Sequence, residues 1–283
     1  MEEGQLAVDA HVHTQWSWDA ASGDMEGSCR QALRIGLRGL AFTEHADFTP
    51  WHITDKVYER LSPRYREMVS PERTLTPPRL DTESYLAAIE KCRHLFPDLR
   101  ILSGVEIGEP TWHVSEVAEL RADGGFDRVL ASSHSIKRDG ASHMVGDAAA
   151  ISSGASVLSE YLVDLARMVE SSDQFEVLAH IDYPLRDWPA DEPFNIDDFE
   201  DNFREVLEKL SATDRVLEIN TVMPLHETIL RWWADSGGAR VSFGSDAHDP
   251  SRVGQGIREA MAMADSAGFR SRLEDPFGYW FRS

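Results

Sequence analysis

The chain has 283 residues, of which 42% are hydrophobic, enough for a full core in a domain the size of an α/β barrel. Its formal net charge of −21 and its pI near 4.8 argue against a protein that binds nucleic acid by neutralising phosphates. The acidic start, MEEGQ, and the lack of an apolar run of spanning length predict a cytoplasmic protein without signal peptide or membrane segment, in which Cys29 and Cys92 are free thiols.

Apolar runs rich in β-branched residues recur along the chain and predict seven strands. Between them lie amphipathic stretches with helix caps, such as those that begin near Asp24 and Asp81. Strands that alternate with helices indicate parallel β/α units, and seven units favour a barrel over an open doubly wound sheet. We therefore predict one α/β domain over residues 1–283. The predicted strands are 6–13, 39–45, 101–107, 128–135, 176–181, 216–221 and 241–246.

Residues 46–80 interrupt this alternation after the second strand. The segment carries five prolines and several aromatic residues, and loops of this length inside a compact domain are usually functional. A loop after a barrel strand lies on the carboxyl face of the barrel. We predict a lid there, with Trp51 placed to stack on a substrate ring. The alternative is a partly helical surface excursion without a role.

Histidines and carboxylates gather where the predicted strands end. His11 and His13 are two apart in a strand, so their rings point to the same face. The carboxyl ends of barrel strands converge on one mouth, and burying so many polar groups there without a cation costs several kcal/mol each. We therefore predict a metal centre. Its ligands are His11, His13, Asp19, His45, Glu106, His134, His180, Asp246 and His248.

Nine ligands exceed the capacity of one ion, so the sequence predicts two to three divalent ions. Imidazole mixed with carboxylate suits Zn, Mn or Fe. Three such ions against three carboxylates leave a charge of about +3, which suits a phosphate in a chain that is acidic overall. Closely spaced ions acidify a bridging water, which then attacks the phosphorus in line.

Four other histidines fall outside the strand ends. They lie in the 46–80 segment or on helix patterns, and we interpret them as surface or packing residues, leaving His143 open. The four are His52, His94, His113 and His226.

The ordered motifs HVHTQWSWD, TEH, GVEIGE, SSHS, AHID and GSDAH resemble those of the PHP (polymerase and histidinol phosphatase) family, from the first predicted strand to the last. The resemblance implies a distorted (β/α)7 barrel with a trinuclear metal site. It also implies how the ligands are shared: His11, His13, Glu106 and Asp246 on one ion; Glu106, His134 and His180 on a second; Asp19, His45 and His248 on a third.

Many members of the family have histidine where this chain has Asp19, and aspartate there resembles the stand-alone histidinol-phosphatase branch, as do EINT and HID. The implied activity is hydrolysis of L-histidinol phosphate in histidine biosynthesis, with Glu106, Asp246 and His248 in the catalytic centre. Two alternatives stay open. One is a phosphoesterase for another small phosphate or a short nucleotide, and the other is a non-catalytic metal-binding module that supports a partner.

A phosphorylated metabolite calls for contacts beyond the metals. For the phosphate we expect Arg186 first, followed by Lys137, Arg138 and Arg252. For the substrate's amine the candidates are Glu44, Asp47 and Glu109. The sequence does not predict an oligomeric state.

Overall fold

The computed structural model describes residues 6–123, 125–148, 152–272 and 274–283. Within these described residues, nine strands form one sheet in the order β1-β2-β3-β4-β5-β6-β7-β9-β8. The first seven run parallel, and the last two pair antiparallel at the β7 edge. The strands are β1 (Leu6–Val12), β2 (Leu37–Ala46), β3 (Arg100–Gly108), β4 (Arg128–Ser132), β5 (Val177–Leu178), β6 (Val216–Asn220), β7 (Arg240–Gly244), β8 (Phe269–Ser271) and β9 (Trp280–Arg282).

The sheet curls until its two parallel ends meet. The backbone N–H of His13 donates to the carbonyl of Ala247 at 2.9 Å, and that of Asp246 donates to the carbonyl of His11 at 2.8 Å. Val12 and Ala247 form a parallel bridge at the same place. The carboxyl ends of β1 and β7 are therefore neighbours, although they lie far apart in the strand order.

A helix follows each of the seven parallel strands, which confirms the predicted α/β alternation. Gly36 ends the first helix with a left-handed φ of 78°, and the Asp81 side chain caps the fourth by accepting from the Ser84 N–H. None of the described helices is both long and apolar enough to cross a membrane. The helices are α1 (Met25–Ile35), α2 (Asp55–Arg60), α3 (Pro63–Glu67), α4 (Thr82–Leu95), α5 (Val114–Asp123), α6 (Val145–Ala148), α7 (Gly154–Ser171), α8 (Glu200–Ser211), α9 (Glu227–Asp235) and α10 (Ile257–Ser266).

Alternating residues of the strands supply two apolar clusters. The larger one packs the outer face of the sheet against the helices. The smaller one contains Leu130, Val177, Val216 and Tyr279 and fills the amino end of the curled sheet. Arg128 fastens the C-terminal segment there, since it donates to the carbonyl of Phe277 at 2.8 Å. The amino end is thus filled by packing, and the carboxyl end is left for polar groups.

Three parts of the sheet differ from the prediction. β5 contains only two residues, because His180 has a φ of 24°, which a β ladder does not accommodate. β4 ends at Ser132, and a hairpin of Ser135–Arg138 with Ala141–Met144 follows it. β8 and β9 were not predicted, because each has only three residues.

Residues 46–80, which we call the excursion, form a small packed unit. It contains α2, α3 and a two-stranded sheet of Trp51–His52 with Thr74–Leu75. Its own cluster consists of Trp51, Ile53, Val57 and Leu75, with Trp18 from the β1–α1 loop packed against it. Movement of the excursion as a lid stays a prediction.

Candidate metal centre

The carboxyl ends of the parallel strands bring all nine predicted ligands together. The ladder between β2 and β3 sets His45 directly beside Glu106. Glu106 is fully buried, and its carboxylate lies within 3.5 Å of five imidazoles. These belong to His11, His13, His45, His134 and His180. Glu106 is therefore the centre of the cluster.

One group of donor atoms lies where β1 meets β7. The Nε2 atoms of His11 and His13 are 2.9 Å apart. Asp246 Oδ1 is 3.6 Å from the first and 3.2 Å from the second, and Glu106 Oε2 is 3.3 and 3.5 Å from the same two atoms. Four side chains thus surround one point.

Two further groups flank the first. On one side, Glu106 Oε1 is 2.7 Å from His180 Nε2 and 3.4 Å from His134 Nε2. On the other side, Asp19 Oδ2 is 3.3 Å from His45 Nε2 and 3.2 Å from His248 Nε2, and those two nitrogens are 3.4 Å apart. His45 also lies next to the centre, since its Nδ1 is 3.0 Å from Glu106 Oε2.

This spacing fits bound metal ions. In a tetrahedral zinc site with bonds of about 2.0–2.1 Å, neighbouring donor atoms lie about 3.3 Å apart. Glu106 Oε2 and Asp19 Oδ1 are buried and accept no hydrogen bond from the residues that the structure describes, so each is free to bind a cation. The donor set, imidazole with carboxylate and no thiolate, is the one that Zn, Mn and Fe share.

An outer layer of side chains holds the ligand rings in place. Glu218 Oε1 lies 2.7 Å from His11 Nδ1, and Glu218 Oε2 accepts from the His180 N–H at 2.9 Å. Asp47 Oδ1 lies 2.9 Å from His134 Nδ1. Such partners fix the orientation of a metal-binding ring and raise its basicity. Glycine at position 244 makes room for Glu218, because a Cβ there would lie 2.2 Å from Glu218 Oε1.

Glu218 was not predicted as a site residue. The signal was present, because an acidic residue in the apolar strand β6 points into the curl beside Val216 and Asn220. The sequence interpretation used residue 218 only as part of the motif EINT and assigned it no role of its own.

The acidic groups make the centre a strong attractor for positive charge. Burial alone lowers the pKa of His11, but the charges of Glu218, Glu106 and Asp246 raise it well above the usual imidazole value. Burial lowers the pKa of His13 to about 3, helped by the neighbouring His45 and His248. A divalent ion would replace the proton that the raised pKa places on the His11 ring. The imidazole would then be neutral, as metal binding requires.

Two of the predicted ligands have a strained backbone conformation. Asp246 has a φ of 51° and His180 has a φ of 24°. Both values lie in the left-handed region, which residues other than glycine rarely adopt. Each such residue costs about 1–3 kcal/mol, and strain of this kind concentrates at functional sites. At both positions the turn of the backbone ends a strand and directs a side chain towards Glu106 or His13.

A cavity of 440 Å³ opens beside the cluster, and two predicted phosphate contacts line it together with Asp19, Asp246 and His248. Arg186 donates from Nη2 to Asp246 Oδ2 at 2.8 Å and to Asn220 Oδ1 at 3.0 Å. Arg252 is exposed at the rim. Both guanidinium groups are thus placed to meet an anion in the cavity.

The two other basic candidates lie elsewhere, which corrects their prediction. Lys137 Nζ stacks 3.8 Å from the centre of the Trp112 ring in a separate groove. Arg138 forms a 2.7 Å ion pair with Glu160 on α7. Both belong to the hairpin after β4, which the sequence pattern did not reveal.

The predicted amine contacts are also corrected, because all three carboxylates are buried and hold protein groups. Glu44 is the strand neighbour of His45 and faces the opposite side, where it accepts from Thr14 and Ser17. Glu109 accepts from the His134 N–H and from Thr49. Asp47 bonds His134 as described above.

Trp51 requires the same correction. Its ring is 1% exposed, and its Nε1 donates to Ser135 Oγ at 2.8 Å. An aromatic residue in a proline-rich segment can face solvent or fill a small core, and sequence alone does not distinguish the two. Trp51 fills the core of the excursion.

The remaining histidines make local contacts. His143, left open by the sequence, packs its ring edge-on against His52 at 5.5 Å. His113 lies 2.7 Å from Thr49 Oγ1, and His226 caps α9 by accepting from the Thr228 N–H. His94 lies 2.7 Å from the Glu90 carbonyl one helical turn before it. These contacts agree with packing and surface roles.

The chain is similar to proteins of known family over most of its length. Residues 9–222 match the PHP domain family. A histidinol-phosphatase from Lactococcus lactis is 24% identical over 279 residues, which cover 93% of this chain and 91% of that protein. A protein of Thermotoga maritima named "Probable histidinol-phosphatase" is 24% identical and covers 90% of this chain and 89% of its own.

A solved structure shares the fold. It is the crystal structure of histidinol phosphate phosphatase from Lactococcus lactis complexed with Zn, L-histidinol and phosphate. The two chains superpose with a TM-score of 0.77 at 22% identity, over 93% of this chain and 94% of the other. The α/β architecture described above is therefore one that a solved protein adopts.

Proposed function

The chain belongs to the PHP family, and we propose that it is a metal-dependent phosphomonoesterase that hydrolyses L-histidinol phosphate to L-histidinol and phosphate. The observation that carries the proposal is the cluster of nine side chains centred on Glu106, in which neighbouring donor atoms lie 2.7–3.6 Å apart. The similarity of the whole chain to relatives named histidinol-phosphatase supports the substrate.

We extend the proposal to the architecture. Seven parallel strands, each followed by a helix, with β1 joined to β7, agree with a distorted (β/α)7 barrel in a single domain. The barrel interpretation accounts for the convergence of donors from six strand ends on one face. A cytoplasmic location stays part of the proposal.

We assign the three donor groups to three divalent ions. The first would be held by His11, His13, Asp246 and Glu106, and the second by Glu106, His134 and His180. The third would be held by Asp19, His45 and His248. When bound, the ions supply Lewis acidity and a nucleophile generated from water. The strand ladder positions His45 and Glu106, while Glu218 and Asp47 orient the rings of His11 and His134.

Arg186 is the main protein contact that we propose for the phosphate. Its side chain is 20% exposed and lines the cavity, and both of its bonds to Asp246 and Asn220 come from Nη2. Nη1 and Nε make no hydrogen bond to the part of the chain that the structure describes, so they retain N–H donors for a phosphate oxygen. Arg252 adds a second positive charge at the rim. These charges and the ions give an acidic protein a local site for an anion.

Metal content and a substrate panel together test the proposal. We expect purified protein to carry more than one equivalent of transition metal and to prefer histidinol phosphate over other phosphomonoesters and diesters when Mn, Fe or Zn is supplied. Equal or better hydrolysis of another small phosphate or a short nucleotide would favour the first alternative. Bound metal without hydrolysis of any substrate would favour a non-catalytic module. Full activity in metal-free protein would refute the whole proposal.

A further inference from the structure

Two side chains of the excursion bind the backbone of the β1–α1 loop. Tyr65 Oη donates to the carbonyl of Asp19 at 2.7 Å, and Arg64 Nη2 donates to the carbonyl of Trp18 at 2.9 Å. Both donors lie on α3, which buries none of its own residues. α3 therefore contacts this loop largely through those bonds and through the Tyr65 ring, which meets the Trp18 ring edge-on at 5.9 Å.

Trp18 continues the connection towards the cluster. Its ring packs against the excursion's small core and lies 5.6 Å from the Trp51 ring. Its Nε1 donates to Asp47 Oδ2 at 2.9 Å, while the other oxygen of Asp47 lies 2.9 Å from His134 Nδ1. Gly108 leaves the space for this carboxylate, because a Cβ there would lie 2.3 Å from Asp47 Oδ1.

The Asp19 side chain needs such an anchor. It stands in a loop without regular structure, whereas most other donors stand on or beside strands. Fixing a flexible backbone residue in one conformation costs conformational entropy, which weakens any ligand that the residue must bind. The hydrogen bonds to the carbonyls of Trp18 and Asp19 already restrict this backbone before a metal binds. Metal binding therefore has to supply less of the conformational entropy cost.

We propose that the excursion is a clamp for the metal centre, and that Tyr65 is a positioning residue which sets Asp19 for the third ion. Trp18 and Asp47 extend the clamp to His134 beside the second ion. By thermodynamic reciprocity, metal binding must then stabilise the docking of the excursion by the same factor. This inference rests on the proposed metal centre.

Metal titration of Tyr65→Phe tests the clamp, because the variant removes one hydroxyl and keeps the ring. We expect one ion to bind about threefold to tenfold more weakly, the range of a single hydrogen bond, while the other ions are unchanged. Asp19→Asn identifies the ion concerned, since it removes a charge from the same donor group. Tyr58→Phe is the matched control in the same excursion and should bind all ions as the native chain does.

Hydrogen exchange supplies a readout that does not depend on activity. In the native chain, adding Zn or Mn to metal-free protein should slow the exchange of the amides in 55–68. In Tyr65→Phe, the factor by which metal slows this exchange should be threefold to tenfold smaller. Trp18→Phe, which removes the indole N–H, should instead weaken the ion next to His134.

The outcomes separate this inference from the proposed function. If the native chain binds no metal, the proposed function fails. If it binds metal and hydrolyses its substrate, but Tyr65→Phe matches it in both affinity and exchange, only the clamp is refuted.

Discussion

The strand ends and the excursion support the same cluster by different physical means. The strands place their donors through backbone ladders, as where His45 stands opposite Glu106. The excursion acts through side chains, since Tyr65 donates to the Asp19 carbonyl and Asp47 accepts from the Trp18 indole. A ladder is fixed by many cooperative hydrogen bonds, whereas a side-chain contact depends on one or two. Changes to donors on the strands should therefore abolish the centre, and changes to the excursion should only weaken it.

Glu106→Gln should have the largest effect. It keeps the shape of the side chain but removes the charge that five imidazoles surround, so metal and activity should be lost together. We expect kcat/KM for histidinol phosphate to fall about a thousandfold or more, measured beside the metal content. Glu119→Gln, at an exposed position, is the control. A variant that retains its metal and full activity would show that Glu106 does not bridge two ions.

Glu218→Gln should have the next largest effect. The amide cannot accept from both His11 and His180 as the carboxylate does, so the His11 ring should lose its fixed orientation. Loss of such a partner weakens metal affinity or activity about 10–100-fold. Competition with a chelator measures the affinity. Unchanged affinity would mean that the β-sheet alone orients His11.

Arg186→Met and Lys137→Met compare a basic residue that lines the cavity with one that lies in a separate groove. We expect KM for histidinol phosphate to rise about tenfold, because one charged contact to the phosphate is lost. Lys137→Met is the matched control, since Lys137 lies in the separate groove beside Trp112 and should leave KM unchanged. Steady-state kinetics of both variants measure this KM. An equal rise in KM in the two variants would contradict the assignment of Arg186 to the phosphate.

Trp51→Ala should have the smallest effect on substrate preference. The ring is buried, so its loss should lower the free energy of unfolding by about 3–5 kcal/mol, observable in thermal or denaturant unfolding. Because the ring does not face the cavity, the ratio of kcat/KM for histidinol phosphate to that for a chromogenic phosphate should stay the same. A selective loss on histidinol phosphate would restore Trp51 as a substrate contact.

Strand periodicity predicts that His11 and His13 share a face without knowledge of the rest of the fold, and their Nε2 atoms do lie 2.9 Å apart. The same rule, applied more strictly, would have excluded Glu44, since its neighbour His45 faces the centre. Lys137 and Trp51 could not be placed in this way. Their positions depend on a hairpin and a small core whose contacts arise only in the tertiary structure. The shortness of β5 likewise follows from the φ of His180, a local strain that no hydrophobic pattern records.

The contact between β1 and the end of β7 affects the order in which the chain can fold as it leaves the ribosome. Asp9 accepts from the Ser245 N–H at 2.8 Å across a separation of 236 residues, and the His11 carbonyl is bonded by the Asp246 N–H. β1, with His11, therefore has no β7 to pair with until the chain has been made as far as Asp246. Contacts so distant in sequence make folding slow. A nascent chain that stops short of β7 holds His11 and His13 without Asp246, so this group of donor atoms is complete only after β7 and Asp246 have been synthesised.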